Sequence, residues 1–192
     1  ALPIVNRRAP AARRGLRSAP PRVPHGGSCR PRPRMSGCRG RVPGQQLTTL
    51  HAFNTTDGST PYAGLTLGAD GNFYGVTSGG GDYAAGVAFR ITPTGSLTKL
   101  YSFGHSTADP STPLGTLIKG NDGNFYGASR GGGAEGNGTI YRMTPSGDVT
   151  VVHSMVFNEG TRPDAPLLLA PDGNFYGTAS GGGARGQGQS SR

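Results

Sequence analysis

Asp70-Gly-Asn-Phe-Tyr-Gly75 recurs letter for letter as Asp122-Gly-Asn-Phe-Tyr-Gly127 and Asp172-Gly-Asn-Phe-Tyr-Gly177. The copies are 52 and 50 residues apart, so most of this 192-residue chain is a tandem array of one unit. An Asp-Gly pair between apolar stretches is a hairpin signal, because glycine supplies the positive φ that a tight turn needs. The Phe-Tyr pair that follows puts one ring on each face of a strand. Adjacent rings suit a sheet only when both of its faces are covered, which requires neighbouring units to stack.

Outward from the hexapeptide, each copy reads alike. Copy one spans 47–96, copy two 97–148 and copy three 149–192. Each opens on a strand-like stretch, Leu47-Thr-Thr-Leu-His-Ala-Phe53, Leu97-Thr-Lys-Leu-Tyr-Ser-Phe103 or Val149-Thr-Val-Val-His-Ser-Met155. A polar loop, a short apolar stretch, the hexapeptide and a Gly-Gly-Gly loop follow in order. A further strand (Val87-Ala-Phe-Arg-Ile-Thr92, Thr139-Ile-Tyr-Arg-Met-Thr144) and a Pro-x-Gly turn lead into the next copy. The pieces are short, rich in β-branched and aromatic residues, and bounded by turn residues. No segment has a helical apolar period. The reading is all-β, with four antiparallel strands per copy in up-and-down order. A repeated unit of that size, roughly 40–50 residues, predicts β-propeller blades. Closed propellers have roughly four to eight blades. Two complete copies and a truncated third predict an incomplete propeller-like array, with open edges through which copies of the chain can associate.

Charge divides the chain. Residues 1–46 hold eleven arginines, no lysine and no acid; residues 47–192 hold eight basic and ten acidic residues, a net charge of −2. The chain's +9 therefore comes from its first segment, and a nucleic-acid reading would rest on that segment alone. Residues 1–46 are rich in Ala, Pro, Arg and Gly without periodicity, and are expected to be disordered. They read as an inert tail, or as sequence upstream of a true start such as Met35, in preference to a nucleic-acid arm. No secretory signal follows Arg7 and Arg8. No stretch approaches the roughly 20 apolar residues of a membrane span. Cys29 and Cys38 lack the partners of a zinc site.

Fold and order together resemble the Gloeo/Verruco ("GloVer") extracellular tandem repeat of bacteria. The likeness rests on the hexapeptide, the Gly-Gly-Gly loop and the run Phe-Arg-Ile-Thr-Pro-x-Gly-x-Leu-Thr-x-Leu-x-x-Phe, over about residues 47–184. It implies propeller-like arrays in surface or secreted proteins, with no established activity. The stretch 184–192 departs from the pattern and is expected to lose the strand that should follow the glycines.

No catalytic set, metal site or cofactor is expected. Asp70, Asp122 and Asp172 recur in every copy, as turn residues do and a unique active site does not. The Gly-Gly-Gly loops lack the Lys-Ser/Thr and helix of a phosphate loop. His51 and His153 share a strand position with Tyr101. Asn54-Thr-Thr56 and Asn137-Gly-Thr139 match the glycosylation pattern without a bacterial use for it. What varies between copies is the two longer loops, which emerge together at one end of the strands. A rigid scaffold with variable loops is how binding surfaces are built. The candidate binding residues are Asp82, Tyr83, His105, Asp109, Glu135, Asn137 and Arg162. The expected function is an extracellular, non-enzymatic module that binds a surface polysaccharide or a protein. The alternatives are a structural spacer or surface-layer component, and a fragment of a propeller enzyme whose active site lies outside this chain. Loops that are merely solvated and free to drift would fit the same pattern.

Overall fold

The computed structural model describes residues 3–5, 47–183 and 188–191. They fall into two units, residues 3–48 and the remainder from Thr49 onward. In the first, β1 (Pro3–Val5) pairs with β2 (Leu47–Thr49). This corrects the expectation of disorder at Pro3–Val5. Ile4-Val5 is a β-branched pair, and proline is tolerated at the first position of a strand. The rest of that expectation lies outside the described residues.

The larger unit holds three antiparallel sheets. The first runs β3 (Thr66–Leu67), β4 (Phe73–Thr77), β5 (Val87–Ile91), β6 (Leu97–Ser102) in that spatial order. The second contains β7 (Ser111–Pro113), β8 (Ile118–Lys119), β9 (Phe125–Gly131), β10 (Thr139–Met143) and β11 (Val149–Ser154). There β7 and β8 both pair with β9, then β10 and β11 follow outward. The third is β12 (Leu168–Leu169), β13 (Phe175–Ala179) and β14 (Gln189–Ser191). No described residue is helical. The all-β array of tandem antiparallel sheets is as the sequence predicts.

Three details differ from the sequence reading. Only Leu47–Thr49 of the opening stretch 47–53 is strand, and it joins no four-stranded sheet. Each sheet instead takes its fourth strand from the start of the following copy, β6 for the first and β11 for the second. The loop 104–114 contains a strand, β7. After the third Gly-Gly-Gly loop a short strand, β14, does form on β13. Ladder bonds are made by backbone, so the loss of strand-like side chains there did not abolish pairing.

The hexapeptide makes the hairpin expected of it. The Gly68 amide donates to the Asn72 carbonyl at 2.8 Å, and Gly71 sits at φ 78°. The same bond recurs at Gly120–Asn124 and Ala170–Asn174. Its rings join neighbouring sheets. Tyr74 stacks on Phe125 at 4.3 Å and 28°, and Tyr126 meets Phe175 at 4.3 Å and 32°. The tyrosine of each copy thus packs on the phenylalanine of the next. Around the first joint lie buried Val76, Ala88, Phe103, Leu117, Tyr141 and Met143. The last glycine of the hexapeptide makes room for a ring from the following strand. A Cβ on Gly75 would stand 2.6 Å from Phe89, and one on Gly127 2.5 Å from the Tyr141 hydroxyl.

Candidate functional site

The repeated aspartates act within their own turns. Asp122 accepts the Asn124 amide at 3.1 Å, its side-chain N–H at 2.7 Å and the Tyr126 hydroxyl at 2.9 Å. Asp70 and Asp172 do the same with Asn72 and Tyr74, and with Asn174 and Tyr176. These bonds, led in each case by the asparagine side chain, hold all three carboxyls below their ordinary value. They are turn residues, as the sequence implies.

A second repeated device was not legible in advance. His51 Nε2 lies 3.0 Å from Asp57, the Tyr101 hydroxyl donates to Asp109 at 2.6 Å, and His153 Nε2 lies 2.7 Å from Glu159. In every copy a ring of the opening stretch fastens an acid in the loop that follows. That acid stands two residues before a Ser/Thr-x-Pro sequence (Ser59 to Pro61, Ser111 to Pro113, Thr161 to Pro163), and this spacing was the available signal. The loops are therefore anchored. The middle residues, Thr60, Thr112 and Arg162, have φ of 54–56°. That left-handed backbone is costly for a β-branched residue. Backbone bonds hold it: the Ser78 and Ser180 amides donate to the Thr60 and Arg162 carbonyls at 3.2 and 3.1 Å, and the Thr112 and Arg162 amides donate to the Ala85 and Asn137 carbonyls at 2.8 and 2.9 Å.

The seven candidate residues form two groups. Asp82, Tyr83, His105 and Asp109 come together beside β6. Asp82 receives Lys99 Nζ at 2.6 Å and the Ser102 hydroxyl at 2.9 Å, and these bonds, Lys99 first, lower its pKa. Asp109 is 6% exposed and its oxygens are taken by the Tyr101 hydroxyl and by the amides of Gly104 and His105. It is a loop fastener more than a ligand contact. Burial, then Asp109, pushes the Tyr101 hydroxyl well above its usual range. His105 Nδ1 lies 3.1 Å from both the Tyr101 hydroxyl and Asp109. Tyr83 is 54% exposed, its ring 6.4 Å from that of His105. A groove of about 400 Å³ runs between them, lined by Asp82, Tyr83, Lys99, Tyr101, Ser102 and His105.

Glu135, Asn137 and Arg162 form the other group, at a separate hollow of about 410 Å³. Asn137 Nδ2 donates to Glu135 at 3.0 Å, and Arg130, Asn137, Phe157 and Arg162 line the hollow. Arg130 Nε stands 3.8 Å from Asp164. Sequence reading missed Lys99 and Tyr101 because they lie on a strand. A bulge between Ala88 and Phe89 leaves Leu100 unpaired, so Lys99 and Tyr101 pair with successive residues. A period-two pattern does not show a bulge. Among the described residues no group of three or more His, Cys, Asp or Glu is placed to hold a metal, and no helix is long and apolar enough to cross a membrane.

Residues 39–190 match the model of the Gloeobacter/Verrucomicrobia repeat. The chain belongs to that family. No curated protein matches it. Among solved structures, a selenomethionine-substituted virginiamycin B lyase from Staphylococcus aureus is 20% identical, over 66% of this chain and 39% of its own, with a TM-score of 0.43. A putative gluconolactonase is 14% identical over 67% and 47%, TM-score 0.45. A streptogramin B lyase is 16% identical over 66% and 38%, TM-score 0.42. The chain spans less than half the length of each, and at these values none speaks to its chemistry.

Proposed function

We propose that this member of the Gloeobacter/Verrucomicrobia repeat family is a non-enzymatic module, secreted or held at the cell surface, that binds a polysaccharide in the groove beside β6. The observation that carries the reading is the exposed Tyr83 ring next to His105, facing a rim of Lys99, Ser102 and Asp82. A sugar ring has an apolar face that packs on an aromatic side chain and hydroxyls that need donors and acceptors at its edge. Tyr83 offers the first. Lys99, Ser102 and His105, whose Nε2 carries no hydrogen bond among the described residues, offer the second. The groove is set on anchored loops, so little ordering is left to oppose binding.

The test is retardation of the full chain in native gels cast with a panel of soluble polysaccharides. A retarding polymer is expected, with Tyr83→Ala weakening binding at least about tenfold, the equivalent of about 1.4 kcal/mol. Glu135→Ala and Asn137→Ala, at the second hollow, should have smaller effects. Binding that survives alanine at Asp82, Tyr83, Glu135 and Asn137 alike contradicts the assignment.

A further inference from the structure

The joint between the first and second copies and the joint between the second and third are tied by the same backbone bond. The Thr112 amide donates to the Ala85 carbonyl at 2.8 Å, and the Arg162 amide to the Asn137 carbonyl at 2.9 Å. The side chains around these ties differ. Thr60 and Thr112 precede a proline where the third copy has Arg162. Ser78 and Ser180 precede a glycine where the second copy has Arg130, and Ala85 stands in the place of Asn137. The first joint is thus built with Ser78, Ala85 and Thr112, so this backbone needs neither a guanidinium nor an amide side chain. Both arginines fall at the second joint. They line its hollow of about 410 Å³ together with Asn137, Phe157 and Thr161.

We propose that this hollow binds a sugar acid, its carboxylate held by Arg130 and Arg162 and its ring packed on Phe157. No acid is among the described residues that line the hollow. Nearby, Glu135 accepts Asn137 Nδ2 at 3.0 Å and Glu159 meets His153 at 2.7 Å. Asp164 lies 3.8 Å from Arg130 Nε, too far for a hydrogen bond, and its nearer oxygen is buried with no hydrogen-bond partner among the described residues. It offsets the charge of Arg130 and leaves the guanidinium donors unspent. Arg162 has no ion pair among the described residues. One uncompensated charge calls for a singly charged anion, and the planar guanidinium fork matches a carboxylate. Phe157 is 56% exposed and offers a flat apolar face to a sugar ring. Asn137 Oδ1 and the Thr161 hydroxyl carry no hydrogen bond among the described residues and are left for the sugar hydroxyls. The hollow is at the small end of ligand pockets, roughly 300–1,000 Å³, as a single sugar requires.

A proton–nitrogen NMR titration of the full chain tests this. The probes are galacturonate, galactose, galactose sulfated at its primary hydroxyl, and an acetylated, amidated aspartate. The three sugars share a ring and differ in one group at its edge. Galacturonate should bind at least about tenfold tighter than the other three and move the Arg130 and Arg162 side-chain signals. Arg130→Ser and Arg162→Thr install residues that other copies hold, so the melting temperature should stay at the parent value. Each should weaken galacturonate binding about ten- to hundredfold. Arg162→Lys, which keeps the charge without the fork, should recover only part of that loss. The site does not rest on the groove beside β6, and Tyr83→Ala should bind galacturonate as the parent does. The proposal is overturned by any of four results: no galacturonate binding, binding that survives both arginine changes, loss of binding in Tyr83→Ala, or tighter binding of galactose, the sulfated sugar or the aspartate.

Discussion

Phe125 and Asp122 stand three residues apart in one hexapeptide and carry opposite weights. Phe125 is buried against Tyr74 of the preceding copy, and Phe125→Ala should cost about 3–5 kcal/mol in urea unfolding. Asp122 is exposed and serves only its own turn. An amide oxygen can still accept the Asn124 amide, so Asp122→Asn should unfold close to the parent midpoint. Loss of polysaccharide binding in Asp122→Asn with folding intact would move the site back to the hexapeptide. Tyr141 presents a different case. Its hydroxyl is buried without a hydrogen-bond partner among the described residues, where the first copy has Phe89. Tyr141→Phe should therefore raise stability by about 1 kcal/mol or more, measured the same way. The turn role of the aspartates and the two-faced role of Phe-Tyr were legible from the hexapeptide alone. The partner of each ring was not, because it lies in the next copy and only stacking brings the two together.

At the scale of strands and loops, acid should reveal how the turns are held. The carboxyls of Asp70, Asp82, Asp122, Asp148 and Asp172 are all lowered by hydrogen bonds made in the folded chain. A carboxyl lowered on folding adds stability that is present above its unfolded value, about 3.9, and is lost as pH falls through the folded value. Melting temperature should therefore hold from neutrality to about pH 4 and decline below it. A flat profile through that range would show that the turn bonds contribute nothing. The strand order and both tight turns could be read from apolar stretches and glycines. The bulge at Leu100 and the ring-to-acid fasteners could not. A bulge leaves no mark on composition, and His51, Tyr101 and His153 share a role only because each reaches a loop acid.

In the whole molecule, sheet faces are covered by the next copy, which is why one unit of this sequence cannot be a stable domain on its own. The all-β architecture followed from the sequence spacing. The phase of the sheets did not, since a sequence repeat can be cut at any point and only the pairing of β6 with β5 shows where one sheet ends. That phase puts the opening strand of the second and third copies, β6 and β11, on the edge of the sheet before it. It also places the varied loops at the ends of the strands opposite the hexapeptide turns, where binding is proposed. All of this depends on the hexapeptides being joints between sheets. A double-mutant cycle on Tyr74→Leu and Phe125→Leu, followed by urea unfolding, measures that directly. The predicted coupling is about 0.5–1.5 kcal/mol between residues in different copies; additive losses would contradict it.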